Sequence, residues 1–257
     1  MPPPAPSAYH RLNPLTKATL AAFCTLLPIA SGGYLVSALV LGLVVVPGLV
    51  VAGVVGRALR DATLVSLPIG ISVAVVSILG RPGSHVLFAV GPFDATVEGL
   101  DFALRIDLRL FVLALALALF ALTTEARSLV VDLERRGVSR RLAFAAAATL
   151  QAIPAMAERA RAIQAAQRAR GLDTEGSIGA RLRGLIPLAG PAVLGTLADV
   201  ETRSQALEAR AFDRPGKRHL LWAPPDSAAQ RLARGLLVTG AVAFIAFFAL
   251  HVVPALP

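Results

Sequence analysis

Charge is scarce in this chain. Only 16% of its 257 residues are Asp, Glu, Lys or Arg, against about 25% in an ordinary soluble domain, and none falls between residues 18 and 56. A water-facing helix needs a polar stripe, so an uncharged run of that length excludes a conventional soluble fold there. Aromatic residues are thin as well, at 5%. Base-stacking platforms are therefore missing, and no zinc-finger, RNP or KH pattern occurs, which excludes nucleic acid as the partner behind the high pI. The single cysteine, Cys24, permits neither an intrachain disulfide nor a cysteine metal cluster; in its apolar run it reads as a small core or lipid-facing residue. The four histidines, His10, His85, His219 and His251, are scattered. No HExxH, GxSxG, P-loop or EF-hand pattern is present. The reading is a non-catalytic chain with no cofactor and no metal site; any ATP that drives it is hydrolysed by another protein.

What the chain has is apolar length and a basic balance: 56% hydrophobic residues, a formal net charge of +9 and a mean hydropathy of +0.69. A membrane helix needs about 20 apolar residues, and five stretches approach or reach that, at about 15–30, 34–56, 62–80, 108–124 and 235–253. Ser31-Gly32-Gly33 marks a turn. The expected fold is an all-α integral membrane protein with about five crossings. Its expected parts are an N-terminal cytoplasmic tail over 1–14, a four-helix membrane region over 15–124, a cytoplasmic or membrane-apposed region over 125–234, and a last crossing with its tail over 235–257. The start, rich in proline, lacks the pattern of a signal peptide and reads as a short disordered tail.

Orientation follows from the basic residues. Arg11 and Lys17 flank the first crossing, and Arg57 and Arg60 are expected in a loop at 56–61. The turn at 31–33 has no charge, the loop after Gly80 sets Asp94, Glu98 and Asp101 against Arg81 and Arg105, and nothing basic follows His251. The positive-inside rule then places the N-terminus in the cytoplasm and the C-terminus outside. Asp107 and Arg109 read as an interfacial pair at the start of the fourth crossing.

The segment 125–234 holds 18 of the 25 Lys and Arg residues and 11 of the 16 acids, a local net of +7. Within it, 142–157 and 185–198 are charge-free, the second broken by Pro187 and Pro191; both read as apolar arms along the membrane or against another protein. Between and after them lie two charged helical stretches, 157–170 and 198–210, built of good helix formers. Asp199 and Arg203, four apart, are expected to pair along the second. The first has a clear stop, Arg170 before Gly171.

Several of these features resemble one family. His10-Arg11-Leu12-Asn13-Pro14-Leu15-Thr16-Lys17 looks like the N-terminal pattern of the transmembrane T component of energy-coupling-factor (ECF) transporters, the family that includes membrane subunits of cobalt and biotin uptake systems. Gln167-Arg168-Ala169-Arg170-Gly171, followed by Leu172-Asp173, looks like its first Ala-Arg-Gly signature, and Leu207-Glu208-Ala209-Arg210-Ala211-Phe212 like its second. Ile186-Pro187-Leu188 resembles the segment between them. The resemblance implies an ATP-driven importer of a vitamin or metal ion. Its implied partners are two cytoplasmic ABC ATPase subunits, a membrane-embedded substrate-binding S component and the lipid bilayer. It also implies that the coupling residues are Ala169, Arg170 and Gly171 for one ATPase and Ala209, Arg210 and Ala211 for the other. Ala211 departs from the pattern's glycine, so the turn after Arg210 is expected to be weaker and the second helix to run on. Arg135, Arg136, Arg140, Arg141, Arg181 and Arg183 read as contacts to anionic headgroups, and Trp222 as an interfacial anchor. A stand-alone carrier or channel, a membrane enzyme, and a non-transporting scaffold remain the rival classes.

Overall fold

A computed structural model describes residues 7–90, 93–171, 178–212, 214 and 223–252. Leu172, Asp173, Asp213, His219 and Trp222 lie outside these residues. So do the first six positions, the tail past 252 and the side chains of Asp94, Arg181, Arg183, His251 and the Ile186-Pro187-Leu188 segment.

The chain is an all-α membrane protein, with five helical segments long and apolar enough to cross a bilayer. They are α1 (Pro14–Ser31), the pair α2 (Tyr34–Val40) and α3 (Val46–Ala52), α4 (Val55–Gly80), α5 (Val97–Thr123) and, after three further helices, α9 (Ala228–Val252). Between α2 and α3 the backbone makes a π-helical turn over Leu41–Val45. Pro47 stands just beyond it; proline has no N–H to donate and its ring crowds the carbonyl four residues back, which the wider turn relieves. Gly32 and Gly53, both with positive φ, end α1 and α3, so the next helix starts after two residues in each case.

The core is built on α5. Val112, Leu115, Ala116 and Leu119 recur at helical spacing and are buried with Val45, Leu49, Ala52, Ala58, Ala62 and Cys24. Cys24 is thus a core residue. The other face of α4 shows Leu64, Leu67, Ile71 and Val75, the exposed apolar stripe that lipid covers.

Several helices begin earlier than their apolar stretches. No loop occupies 56–61: α4 runs through it, because Ala58 and Ala62 continue the buried face with a four-residue period while Arg57 and Arg60 point outward. α5 starts eleven residues before 108, where the Thr96 hydroxyl accepts the Gly99 N–H at 3.1 Å. This N-cap brings Asp101, Arg105, Asp107 and Arg109 into the helix. Among the described residues the one departure from helix and turn is a hairpin before α5, Val86–Val90 paired antiparallel with Phe93–Thr96 and carrying a bulge between Val86 and Phe88. Where α5 leaves the hairpin it lies on the backbone of α4: a methyl at Gly99 would collide with the Ser77 carbonyl oxygen and stand 2.9 Å from the Ile78 Cα.

The chain divides into two compact units, Met1–Asp132 with Pro224–Pro257, and Leu133–Ala223. α6 (Ala126–Arg135) leads from the first into the second, which consists of α7 (Arg140–Ala169) and α8 (Ile178–Ala209). The expected division of this region into apolar arms and separate charged helices is corrected: each arm and its charged stretch form one helix of 30 or 32 residues. Pro154, Pro187 and Pro191 lie inside these helices, which continue through them because one proline removes a single ladder bond and leaves those on either side intact.

Candidate functional site

Both signature tripeptides are helix C-terminal caps built on one plan. In the first, α7 ends at Ala169, Arg170 is the cap residue at φ −89°, ψ 7°, and Gly171 takes φ +87°. The Gly171 N–H donates to the Arg168 carbonyl at 2.9 Å. In the second, α8 ends at Ala209, Arg210 follows, and Ala211 takes φ +51°. The Ala211 N–H donates to the Glu208 carbonyl at 2.9 Å and the Phe212 N–H to the Leu207 carbonyl at 3.0 Å. These two bonds define a Schellman motif with alanine at the position that glycine usually takes.

The expectation that α8 runs on past Arg210 is therefore wrong. The two Schellman bonds and the packing of half-buried Phe212 hold Ala211 left-handed in spite of its methyl. Phe212 packs on Phe144 of α7 with ring centroids 5.0 Å apart. The Arg140 guanidinium lies 5.3 Å from the Phe212 ring and donates to the Arg214 carbonyl at 3.2 Å. A left-handed alanine costs about 1–2 kcal/mol, and glycine gives back about 0.5–1 kcal/mol of that in backbone entropy. Ala211→Gly is thus expected to stabilise the second cap by about 0.5–1 kcal/mol, read as a rise in the thermal midpoint of the purified protein. An unchanged or lower midpoint would show that Ala211 is not strained.

Arg170 and Arg210 are exposed. Among the described residues neither guanidinium has a hydrogen-bonding or ion-pairing partner, and Arg210 makes no pair with Glu208. Each stands at the partially negative end of its helix with its fork of donors unoccupied. Beside the second cap lies a hollow of about 480 Å³, lined by Arg141, Phe144, Leu207, Glu208 and Phe212 among others.

Among the described residues, an ion pair joins α7 to α8, Arg159 to Asp199 at 2.7 Å. Asp199 thus pairs across the two helices, and the expected pair along α8 with Arg203 does not form. Gly195 makes room: a methyl there would stand 3.2 Å from the Arg159 guanidinium. Both side chains are over a third exposed, 37% and 48%, so the pair adds about 0–1 kcal/mol to stability and fixes register more than it holds the fold. Asp199→Arg is accordingly expected to lower the thermal midpoint of the purified protein by about 2–4 °C at most, and the swap Arg159→Asp with Asp199→Arg to restore it. A swap as unstable as the single reversal would show that the pair does not contribute.

The Asp107 and Arg109 expectation is also corrected. They lie in the third and fourth turns of α5 instead of at its start. Asp107 packs on Gly70 of α4, and Arg109 lies near Gly32, where α1 ends. What sequence reasoning missed is a set of polar contacts around the N-terminal motif. It joins residues more than 200 positions apart, and a motif alone does not reveal such partners.

The sequence matches the cobalt transport protein family, CbiQ, over residues 6–220. It is similar to the energy-coupling factor transporter transmembrane protein EcfT of Thermosediminibacter oceani, with 30% identity over 93% of this chain and 94% of that one. The protein of the same name from Limosilactobacillus fermentum is 29% identical over 88% and 89%. A putative ABC transporter ATP-binding protein of Bifidobacterium longum is 28% identical over 89% of this chain but only 30% of its own length.

Proposed function

The chain belongs to the cobalt transport protein family, and from that premise we propose that it is the transmembrane coupling subunit of an ECF-type ABC importer. The observation that carries the mechanism is the pair of matching arginine caps. Two partner ATPases hydrolyse ATP, and the chain itself catalyses nothing. Arg170, with Ala169 and Gly171, docks on one ATPase, and Arg210, with Ala209 and Ala211, on the other; a rigid guanidinium fork suits carboxylates and helix-end carbonyls. Closure of the ATPases is passed along α7 and α8. Their exposed apolar side chains, among them Ile153, Met156, Leu194 and Leu197, offer a membrane-embedded S component a surface, and movement of that surface releases a vitamin or metal ion inward.

The partnership with an ATPase is supported by the longer relative, whose ATP-binding name covers a polypeptide containing a stretch similar to this chain. The proposed orientation has the N-terminus and the second unit in the cytoplasm and the C-terminus outside. It is supported by the basic residues and by the inner ends of the helices: the start of α1 touches the end of α5 and the start of α9, as four crossings between α1 and α6 require.

The test is co-expression of the tagged chain with the ATPases and S component encoded beside it, followed by reconstitution. Two ATPase copies should co-purify, and ATP inside the vesicles' cytoplasmic face should drive uptake. Among the described residues, the buried, unpaired Oδ1 of Asp107 and Nε of Arg109 within α5 favour a stand-alone ion-coupled carrier. Uptake by the purified chain alone under an ion gradient would establish that reading and sink the coupling one.

A further inference from the structure

The N-terminal motif is buried at one end of the membrane unit. Asn13 is fully buried and Lys17 is 2% exposed. The Asn13 side chain caps α1 by accepting the Leu15 N–H at 3.0 Å, while its own backbone N–H donates to Gln230 Oε1 of α9 at 2.9 Å. Arg234 of α9 donates to Thr16 Oγ1 at 2.8 Å and to Asn13 Oδ1 at 3.4 Å, and its other amino group pairs with Asp226 at 2.9 Å in a setting where both side chains are about nine-tenths buried. The Lys17 ammonium donates to the Thr123 carbonyl at 2.7 Å and to the His10 carbonyl at 3.3 Å. Thr123 is the last residue of α5, so Lys17 is a cation capping the negative end of that helix. The Tyr9 ring lies 5.7 Å from the ammonium; burial pushes its phenol up to about 12, so the ring stays neutral beside the charge.

These contacts fasten the ends of three helices, α1, α5 and α9. The two chain connections between the units adjoin these helix ends in sequence. The chain passes out of the first unit at Asp132, nine residues after Thr123, and returns at Pro224, two residues before Asp226. Buried charges held by carbonyls, a hydroxyl and one carboxylate are costly to separate, because each partner left behind is a desolvated polar group.

We propose that Lys17 and Arg234 are positioning residues for energy coupling: they clamp the starts of α1 and α9 to the end of α5, so that the membrane helices hold still at the two points where the coupling unit is attached. A drive shaft needs a fixed bearing. With the clamp loosened, work done on α7 and α8 is spent in displacing α5 and α9. This inference rests on the coupling reading above.

The test uses the whole complex in proteoliposomes, with cobalt(II) and biotin each tried as the transported probe and ATP hydrolysis measured in the same vesicles. Lys17→Met and Arg234→Ala are each expected to leave ATPase co-purification and the KM for the probe unchanged, to keep hydrolysis within about two-fold of wild type, and to cut uptake at least ten-fold. The ATP consumed per probe molecule then rises at least five-fold. Uptake and hydrolysis falling in equal proportion would show a structural role only, and unchanged uptake would show none; either overturns the proposal. Where these variants fail to assemble, Thr16→Val with Asp226→Asn decides, since it removes one hydroxyl and one charge and keeps the packing; a ratio equal to wild type overturns the proposal. Failure of the wild-type chain to recruit ATPases would instead sink the coupling reading itself.

Discussion

With Arg170→Ala and Arg210→Ala combined, ATP-driven uptake falls to the background of vesicles lacking the chain, and the ATPases no longer co-purify. Desolvated arginines at the centre of an interface commonly contribute 2 kcal/mol or more when truncated to alanine. At about 1.4 kcal/mol per decade, two such losses weaken docking on the order of a thousand-fold. Each single variant should lose about thirty-fold or more by the same reckoning. The fold should not notice: both side chains are exposed and, among the described residues, unpartnered, and substitutions at such positions usually stay within about 0.5 kcal/mol. Membrane yield and thermal midpoint therefore serve as the control. Arg→Lys at either position is also expected to impair uptake, because a point charge lacks the planar fork. Wild-type uptake by the double alanine variant would end the coupling assignment of both caps.

The second large effect concerns the fold. Gly99 sits where α5 crosses the backbone of α4, with the Ser77 carbonyl and the Ile78 Cα in the space a side chain would need. Backbone atoms of a neighbouring helix cannot turn aside as a side-chain tip can. Gly99→Ala is expected to cost about 1–3 kcal/mol, the usual range for overpacking. Gly99→Val should leave little folded protein in the membrane. Gly56→Ala is the matched control, since nothing lies within 4 Å of its added methyl and alanine is the better helix former by about 1 kcal/mol. Equal thermal midpoints for Gly99→Ala and wild type would show that α4 and α5 are not in backbone contact there.

How far these features could be read from residues alone varied with the physics behind each. The number of crossings was plain, because hydrocarbon demands long apolar runs. Their ends were not. Hydropathy falls where a helix turns amphipathic, so the first ten residues of α5, with Asp101 and Arg105 on them, looked like loop. Thr96 was the available signal for the earlier start. Glycine announced the cap after Arg170. Alanine hid the one after Arg210, although the apolar pair Leu207 and Phe212, at the third position before the cap and the second after it, is the side-chain signature of a Schellman ending. Pro187 and Pro191 looked like breaks, since proline is costly in helices, yet long helices on either side outweigh one lost bond. The partners of Lys17 and Asn13 could not be read at all. They depend on which helix ends the fold brings together, and the bond from Asn13 to Gln230 spans 217 positions.

The Arg159–Asp199 pair has a mechanical consequence. Arg170 lies eleven residues beyond Arg159, and Arg210 eleven beyond Asp199, so at 1.5 Å per residue both arms measure about 16 Å. The two arms do not lie side by side. Phe212, two residues past Arg210, packs on Phe144 near the start of α7, so the helices run antiparallel and the arginine tips lie on opposite sides of the pin. A push on either tip would then turn the helix pair about one joint from its own end, with equal leverage.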